Sequence, residues 1–235
     1  MTRWAITCVA ALWAQLAVAG EVTVAVASNF LLTAEKIAAA FEAETGHEVV
    51  LSNGSTGLLF AQIAAGAPFD VFLSADEERP ERLLKDGKAI ATRPYAIGAL
   101  ALLSRSPVSA ETAGAAFAGK TAALADPTVA PYGRAATRTM EALKLDTATF
   151  RPVMVANVGQ VASIFETGNA DFAFVATSQL DRVAAPYVLR LDGIAPDIRQ
   201  DAALLSDEEA AQAFWQWLTR PETGQLILAD GYSLP

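Results

Sequence analysis

Val22, Val24 and Val26 alternate with polar or small residues across Glu21–Val26, a period of two that predicts a first strand. Ala27-Ser28-Asn29-Phe30 reads as a turn. Ala34, Ile37, Ala38 and Phe41 then share one face of a helix that Gly46 should stop. Glu48–Leu51 predicts a second strand, Ser52–Gly57 a loop, and Leu58–Ala65 a short helix ended by Gly66. Phe69–Ser74 is a continuous apolar run of the kind found in buried parallel strands. Glu77–Asp86 is helical and closed by Gly87. This strand–helix rhythm implies a doubly wound parallel sheet.

Ala96–Ser104 is one long apolar segment carrying Gly98, long enough to leave one sheet and enter another. The rhythm then restarts. Thr121–Ala125, Pro152–Ala156, Asp171–Val175 and Tyr187–Leu191 read as strands. Tyr132–Leu143, Val158–Thr167 and Ser178–Val183 read as helices between them. Arg199–Leu205 again looks extended, and helices Asp207–Leu218 and Glu222–Ala229 close the chain. The expected fold class is α/β: two doubly wound lobes joined by two crossing segments, with a ligand cleft between them. Residues 21–98 plus 203–235 would form the first lobe and 99–202 the second.

The N-terminus changes this picture. Arg3 precedes an apolar run from Trp4 to Ala19 that ends in Ala17-Val18-Ala19, a small-x-small cleavage pattern. The run is short for a transmembrane helix, so residues 1–19 or 1–20 read as a signal peptide and the protein as exported to the periplasm. Cys8, the one cysteine, lies inside that signal, leaving the mature chain without thiol chemistry. Net charge is −9, and −10 once Arg3 is removed. So acidic a protein is a poor partner for nucleic acid or anionic membranes. Any anion it binds must be held by local dipoles: backbone N–H groups, hydroxyls and helix N-termini.

Several chemistries are set aside by missing residues. His47 is the one histidine, placed after Gly46 on what reads as a surface turn, which argues against a histidine triad or zinc site. Asp76-Glu77-Glu78 and Asp207-Glu208-Glu209 sit at helix starts, where they complement the dipole. Met140 and Met154 read as core. Tyr95, Tyr132, Tyr187 and Tyr232 are scattered along the chain, unlike a ferric site. What remains is a set of turns at helix starts: Ser28-Asn29, Gly54-Ser55-Thr56-Gly57, Tyr132-Gly133 after Pro131, and Asn157-Val158-Gly159. Each places free N–H groups at the C-terminal end of a strand, where doubly wound sheets bind ligands. Two turns come from each lobe. Plain helix capping is the competing explanation for Ser28, Ser55 and Thr56, taken singly. It does not account for Tyr132 or Val158.

At these turns the chain resembles the periplasmic molybdate-binding proteins of the type II periplasmic-binding fold. The resemblance is carried by VAVASNF (24–30), LSNGSTGLLFAQIAAGAPFDVFLSADEERPERLLKDG (51–87), YAIGALALLS (95–104), ALADPTVAPYGRAA (123–136), NVGQVASIFETGNADFAFVATSQL (157–180) and IRQDAALL (198–205). It implies a molybdate and tungstate ligand, no cofactor, and a monomer serving an ABC permease and its ATPase. It implies ligand contacts from Ser28 with Asn29 beside it, Thr56 with Ser55 as neighbour, and the backbone at Tyr132 and Val158. One subgroup carries a tyrosine at the strand end that here reads Val175-Ala176-Thr177-Ser178. This chain, with alanine at 176, resembles the subgroup whose tyrosine sits in the Pro-Tyr-Gly turn. Arg134 and Arg138 lie near that turn and read as a solvated helix face.

Other anions stay open at this stage. Sulfate would need a tighter cavity. Phosphate carries a proton near neutral pH and calls for a carboxylate acceptor, and the nearest, Asp126, lies outside the four turns. An exported serine hydrolase using Ser28 or Ser55 would lack a base and a GxSxG turn.

Overall fold

The computed structural model describes residues 19–235; most of the proposed signal, with Cys8, lies outside them. Among the described residues no helix is long and apolar enough to cross a membrane. Two five-stranded sheets define two lobes. The first has the order β2-β1-β3-β10-β4, built from Glu21–Ala27 (β1), Glu48–Gly54 (β2), Val71–Leu73 (β3), Ala91–Gly98 (β4) and Ile198–Leu204 (β10). The second has the order β7-β6-β8-β5-β9, from Leu100–Ser104 (β5), Thr121–Ala125 (β6), Arg151–Val155 (β7), Phe172–Ala176 (β8) and Tyr187–Arg190 (β9). In each lobe a parallel set is joined to antiparallel neighbours: β10 runs against β3 and β4, and β5 against β8 and β9. Both sheets are therefore mixed, because a chain that crosses between lobes and returns enters each sheet in reverse.

The period-two pattern of β1 is used on both faces. Val22, Val24 and Val26 pack with Ile37 and Phe41 of Leu31–Thr45 (α1) and with Phe214 and Trp217 of Glu209–Trp217 (α7). Ala25 turns the other way, onto Leu59 and Ile63 of Thr56–Ala64 (α2) and Leu83 of Glu78–Lys85 (α3). In the second lobe β5, β6 and β8 are buried at every position, which is why their sequences are continuously apolar. Phe117 of the short helix Ala113–Phe117 (α4) stacks on Phe172 at 4.0 Å. Pro131–Ala142 (α5) and Val158–Glu166 (α6) cover the same core, and Pro221–Ala229 (α8) completes the first lobe.

Several sequence expectations need correction. The loop expected at 52–57 shrinks to Ser55, because the β1–β2 register runs on to Ala27 opposite Gly54. Residues 198–202, expected in the second lobe, belong to β10, which pairs along its whole length with β4. The return crossing therefore precedes Ile198, and the outward crossing is the single residue Ala99. β4 also begins five residues before the expected Ala96. Pro94 disguised it, and is tolerated on an edge strand where the ladder skips Tyr95 in a bulge. Met154 is exposed on the edge strand β7, while Met140 is buried. His47 is buried, stacked on Phe41, with Nδ1 accepting from Gly20 N–H at 2.9 Å. Its flanking glycine suggested a surface turn, but the helix end folds back onto the sheet.

Candidate functional site

The parallel strands β1, β2, β6 and β7 point their C-terminal ends at the gap between the lobes, and each end feeds a helix start. A small, narrow cavity lies there. Its walls are Ala27, Ser28, Asn29, Gly54, Ser55, Thr56 and Ala75 from the first lobe, and Ala130, Pro131, Tyr132, Asn157 and Val158 from the second. All six residues singled out from sequence are therefore brought together, and no wall residue carries a charge. Ala75 and Ala130 carried no sequence signal, since a small residue announces nothing until its neighbours are known.

The hydroxyls are not ordinary caps. Ser55 precedes α2 but makes no capping hydrogen bond, and its Oγ is buried with no partner among the described residues. The cap position of α1 is Phe30, so Ser28 caps nothing. Ser28 Oγ instead faces across the cleft, accepting from Gly159 N–H at a long 3.5 Å. Thr56 Oγ1 accepts from Ala75 N–H at 3.2 Å. Of the cleft turns only Asn157 caps, its Oδ1 taking the Gln160 N–H at 3.1 Å. Donors are plentiful. Asn29 and Ser55 N–H have no backbone acceptor among the described residues. Thr56, Tyr132 and Val158 lie in the first turns of α2, α5 and α6, whose N–H groups find no acceptor within the helix. Each helix also directs the positive end of its dipole at the cavity.

The side chains of Asn29 and Tyr132 leave the cavity. Asn29 Nδ2 donates to Gln200 Oε1 at 2.8 Å, and Tyr95 OH donates to Ser74 O at 2.9 Å. Tyr232 OH lies 2.6 Å from Asn29 O. Tyr132 OH is buried beside Gln200 and Asn29, opposite Gly98, with no hydrogen bond of normal geometry. Three of the four tyrosines scattered in sequence thus converge behind the cleft. Burial first, and then neighbouring phenols, push Tyr95 and Tyr132 well above the ordinary tyrosine range. Among the described residues no three His, Cys, Asp or Glu side chains group as a metal site.

The lobes touch directly around the cavity. Gly57 N–H donates to Val129 O at 2.8 Å, and a Cβ at Gly57 would come within 2.9 Å of Val129 backbone, so only glycine fits. Ser178 Oγ donates to Asn29 O at 3.2 Å. Arg134, expected on a solvated face, instead pairs with Asp76, which also pairs with Arg79 and accepts from its N–H. Asp126 is occupied by Thr128 N–H and Oγ1, which hold its carboxyl below the usual carboxylate range.

Two α/β lobes closing on an uncharged, donor-lined cavity define a solute-binding protein. The chain belongs to the bacterial extracellular solute-binding protein family, whose model matches residues 22–233. It is 39% identical to the molybdate-binding protein ModA of Azotobacter vinelandii, over 100% of this chain and 98% of that one. Identity to ModA of Rhodobacter capsulatus is also 39%, over 92% and 89% of the two chains. Its fold superposes on the Azotobacter vinelandii periplasmic molybdate-binding protein with a TM-score of 0.82, at 38% identity, covering 91% of this chain and 99% of that structure.

Proposed function

We propose that this protein captures molybdate, and tungstate with it, in the periplasm and delivers the ion to an ABC permease and its ATPase. The observation that carries the reading is a cavity between the lobes whose every wall residue is uncharged and whose free groups are donors. A fully ionised tetrahedral dianion is matched by such a lining. A protonated anion such as hydrogen phosphate would leave its own O–H facing donors. The relatives' names supply the ion.

Ser28, Ser55 and Thr56 are the proposed hydroxyl contacts, and the N–H groups of Asn29, Ser55, Tyr132 and Val158 the proposed backbone contacts. Hydrogen bonds to a charged acceptor contribute roughly 1.5–3 kcal/mol each. Six or seven, less ordering costs, reach about 12 kcal/mol, the nanomolar range. The protein acts as a monomeric binding component with no chemistry of its own, since nothing in the cavity is a base.

The test is a calorimetric titration of ligand-stripped mature protein with molybdate, tungstate, sulfate and phosphate. Tight one-to-one binding of the first two, with no heat from the others, is expected. Preferential binding of sulfate or phosphate would move the substrate, and no binding of any oxyanion would overturn the reading.

A further inference from the structure

We infer that Ser178 and Tyr232 are positioning residues for oxyanion capture. Together they clamp the Asn29 turn from behind, and the clamp is complete only when the second lobe arrives. The inference rests on the proposed capture of an oxyanion between the lobes. Neither residue lines the cavity. What they hold is the carbonyl of Asn29, the residue whose own N–H is a proposed ligand contact.

Asn29 O accepts from Tyr232 OH at 2.6 Å and from Ser178 Oγ at 3.2 Å, and the two hydroxyls lie 3.0 Å apart. The Asn29 side chain adds two bonds, Nδ2 donating to Gln200 Oε1 at 2.8 Å and to Tyr232 OH at 3.1 Å. These bonds fix the orientation of Asn29, and with it the direction of an N–H that has no backbone acceptor among the described residues. Tyr232 is itself anchored. Its ring meets Phe30 edge-on at 5.2 Å, and Ser233 exchanges two backbone bonds with Ile97 of β4, at 2.8 and 2.9 Å. Those contacts lie within the first lobe and do not depend on closure. Ser178 is different, because it belongs to the helical turn Thr177–Arg182 of the second lobe. Its neighbours reach in two other directions: Thr177 Oγ1 donates to Gly231 O at 3.3 Å, and Gln179 Nε2 to Val158 O at a long 3.4 Å. Val158 carries a proposed backbone contact of the second lobe. One turn therefore ties the Asn29 turn, the Val158 turn and the C-terminal tail together behind the cavity. An ion bridging the same two turns from the front favours the same closed arrangement, so ion and clamp stabilise each other.

The test follows release of radiolabelled molybdate from the protein into excess unlabelled molybdate, alongside melting of the unliganded proteins. Ser178→Ala should speed release about fivefold, the loss of one hydrogen bond made in the closed form. It should leave the unliganded melting temperature unchanged, since that bond forms only when the lobes meet. Tyr232→Phe should speed release by a similar factor and also melt lower, because it loses bonds within the first lobe. The double variant should fall well short of the product of the two single effects, since both hydroxyls act on one carbonyl. Unchanged release from Ser178→Ala, or single effects that simply multiply, overturns the clamp while leaving oxyanion capture intact. Faster release matched by a lower unliganded melting temperature in Ser178→Ala reduces the residue to a structural role and also overturns it. Unaltered protein that retains no molybdate overturns the capture reading, and the clamp with it.

Discussion

Arg134 Nη2 of the second lobe donates to Asp76 Oδ2 of the first at 2.7 Å, spanning the cleft beside the cavity. Asp76 is only 8% exposed, and it is held from its own lobe by Arg79. The acid is pre-positioned, and the arginine arrives with the second lobe. The pair therefore exists only when the lobes are together, and it biases the open–closed equilibrium without touching the ion.

Arg134→Ala should shift the unliganded protein toward the open form. The arginine is about a third exposed, so the pair contributes modestly, about 1 kcal/mol. Molybdate affinity is expected to fall roughly fivefold. Small-angle scattering of the unliganded variant should report a larger radius of gyration, and an unchanged radius would show that the pair does not hold the lobes.

Gly98 ends β4 at the outward crossing, and a Cβ there would collide with the Tyr132 hydroxyl and come within 2.8 Å of Gln200 Nε2. Gly98→Ala should therefore obstruct closure and weaken binding by about tenfold or more. Removing the hydroxyl as well, in Gly98→Ala/Tyr132→Phe, should recover part of the loss, since the ring carbon then nearest is 3.2 Å away. Titrations of both variants check this, and failure of the double variant to recover would place the obstruction elsewhere.

Ser55 and Thr56 are adjacent but differently employed. Ser55 Oγ has no protein partner, so Ser55→Ala should weaken oxyanion binding by about tenfold and leave the melting temperature unchanged. Thr56 Oγ1 accepts from Ala75 N–H, and Thr56 is 1% exposed. Thr56→Ala should weaken binding and also destabilise the unliganded protein by about 1–2 kcal/mol, because it orphans a buried N–H. Melting curves with and without molybdate separate the two effects.

Asp201 has a buried Oδ1 with no partner, and burial, then Glu77, raise its carboxyl above the usual range. A carboxyl whose folded value is raised favours folding while protonated and loses that contribution as pH rises through the folded value. At pH 7 the ionised form is a net burden. Asp201→Asn should raise the melting temperature there by about 2 °C, and the gain should vanish in acid, where both side chains are neutral. Melting the pair of proteins from pH 3 to 8 gives the profile, and a gain that grows toward acid would contradict the assignment.

Much was legible in the chain alone. Val22, Val24 and Val26 announced β1, the segments Thr121–Ala125 and Asp171–Val175 read as the strands β6 and β8, and glycines 46, 66 and 87 announced helix ends, because strand and helix periods and left-handed turns are local properties. The turns holding Ser28, Ser55, Thr56, Tyr132 and Val158 were readable for the same reason, as hydroxyls and glycines at strand-to-helix joints. That all of them border one cavity was decided by the tertiary structure, since it depends on how two lobes meet. So did the fates of His47, Arg134 and the tyrosines. A polar side chain's partner lies 27 residues away for His47, 58 for Arg134 and 105 for Tyr95, and no local period encodes such pairings. Sequence determined which groups could donate and where each element would run; the packing of the two lobes determined which donors are left free, and therefore what the cleft can hold.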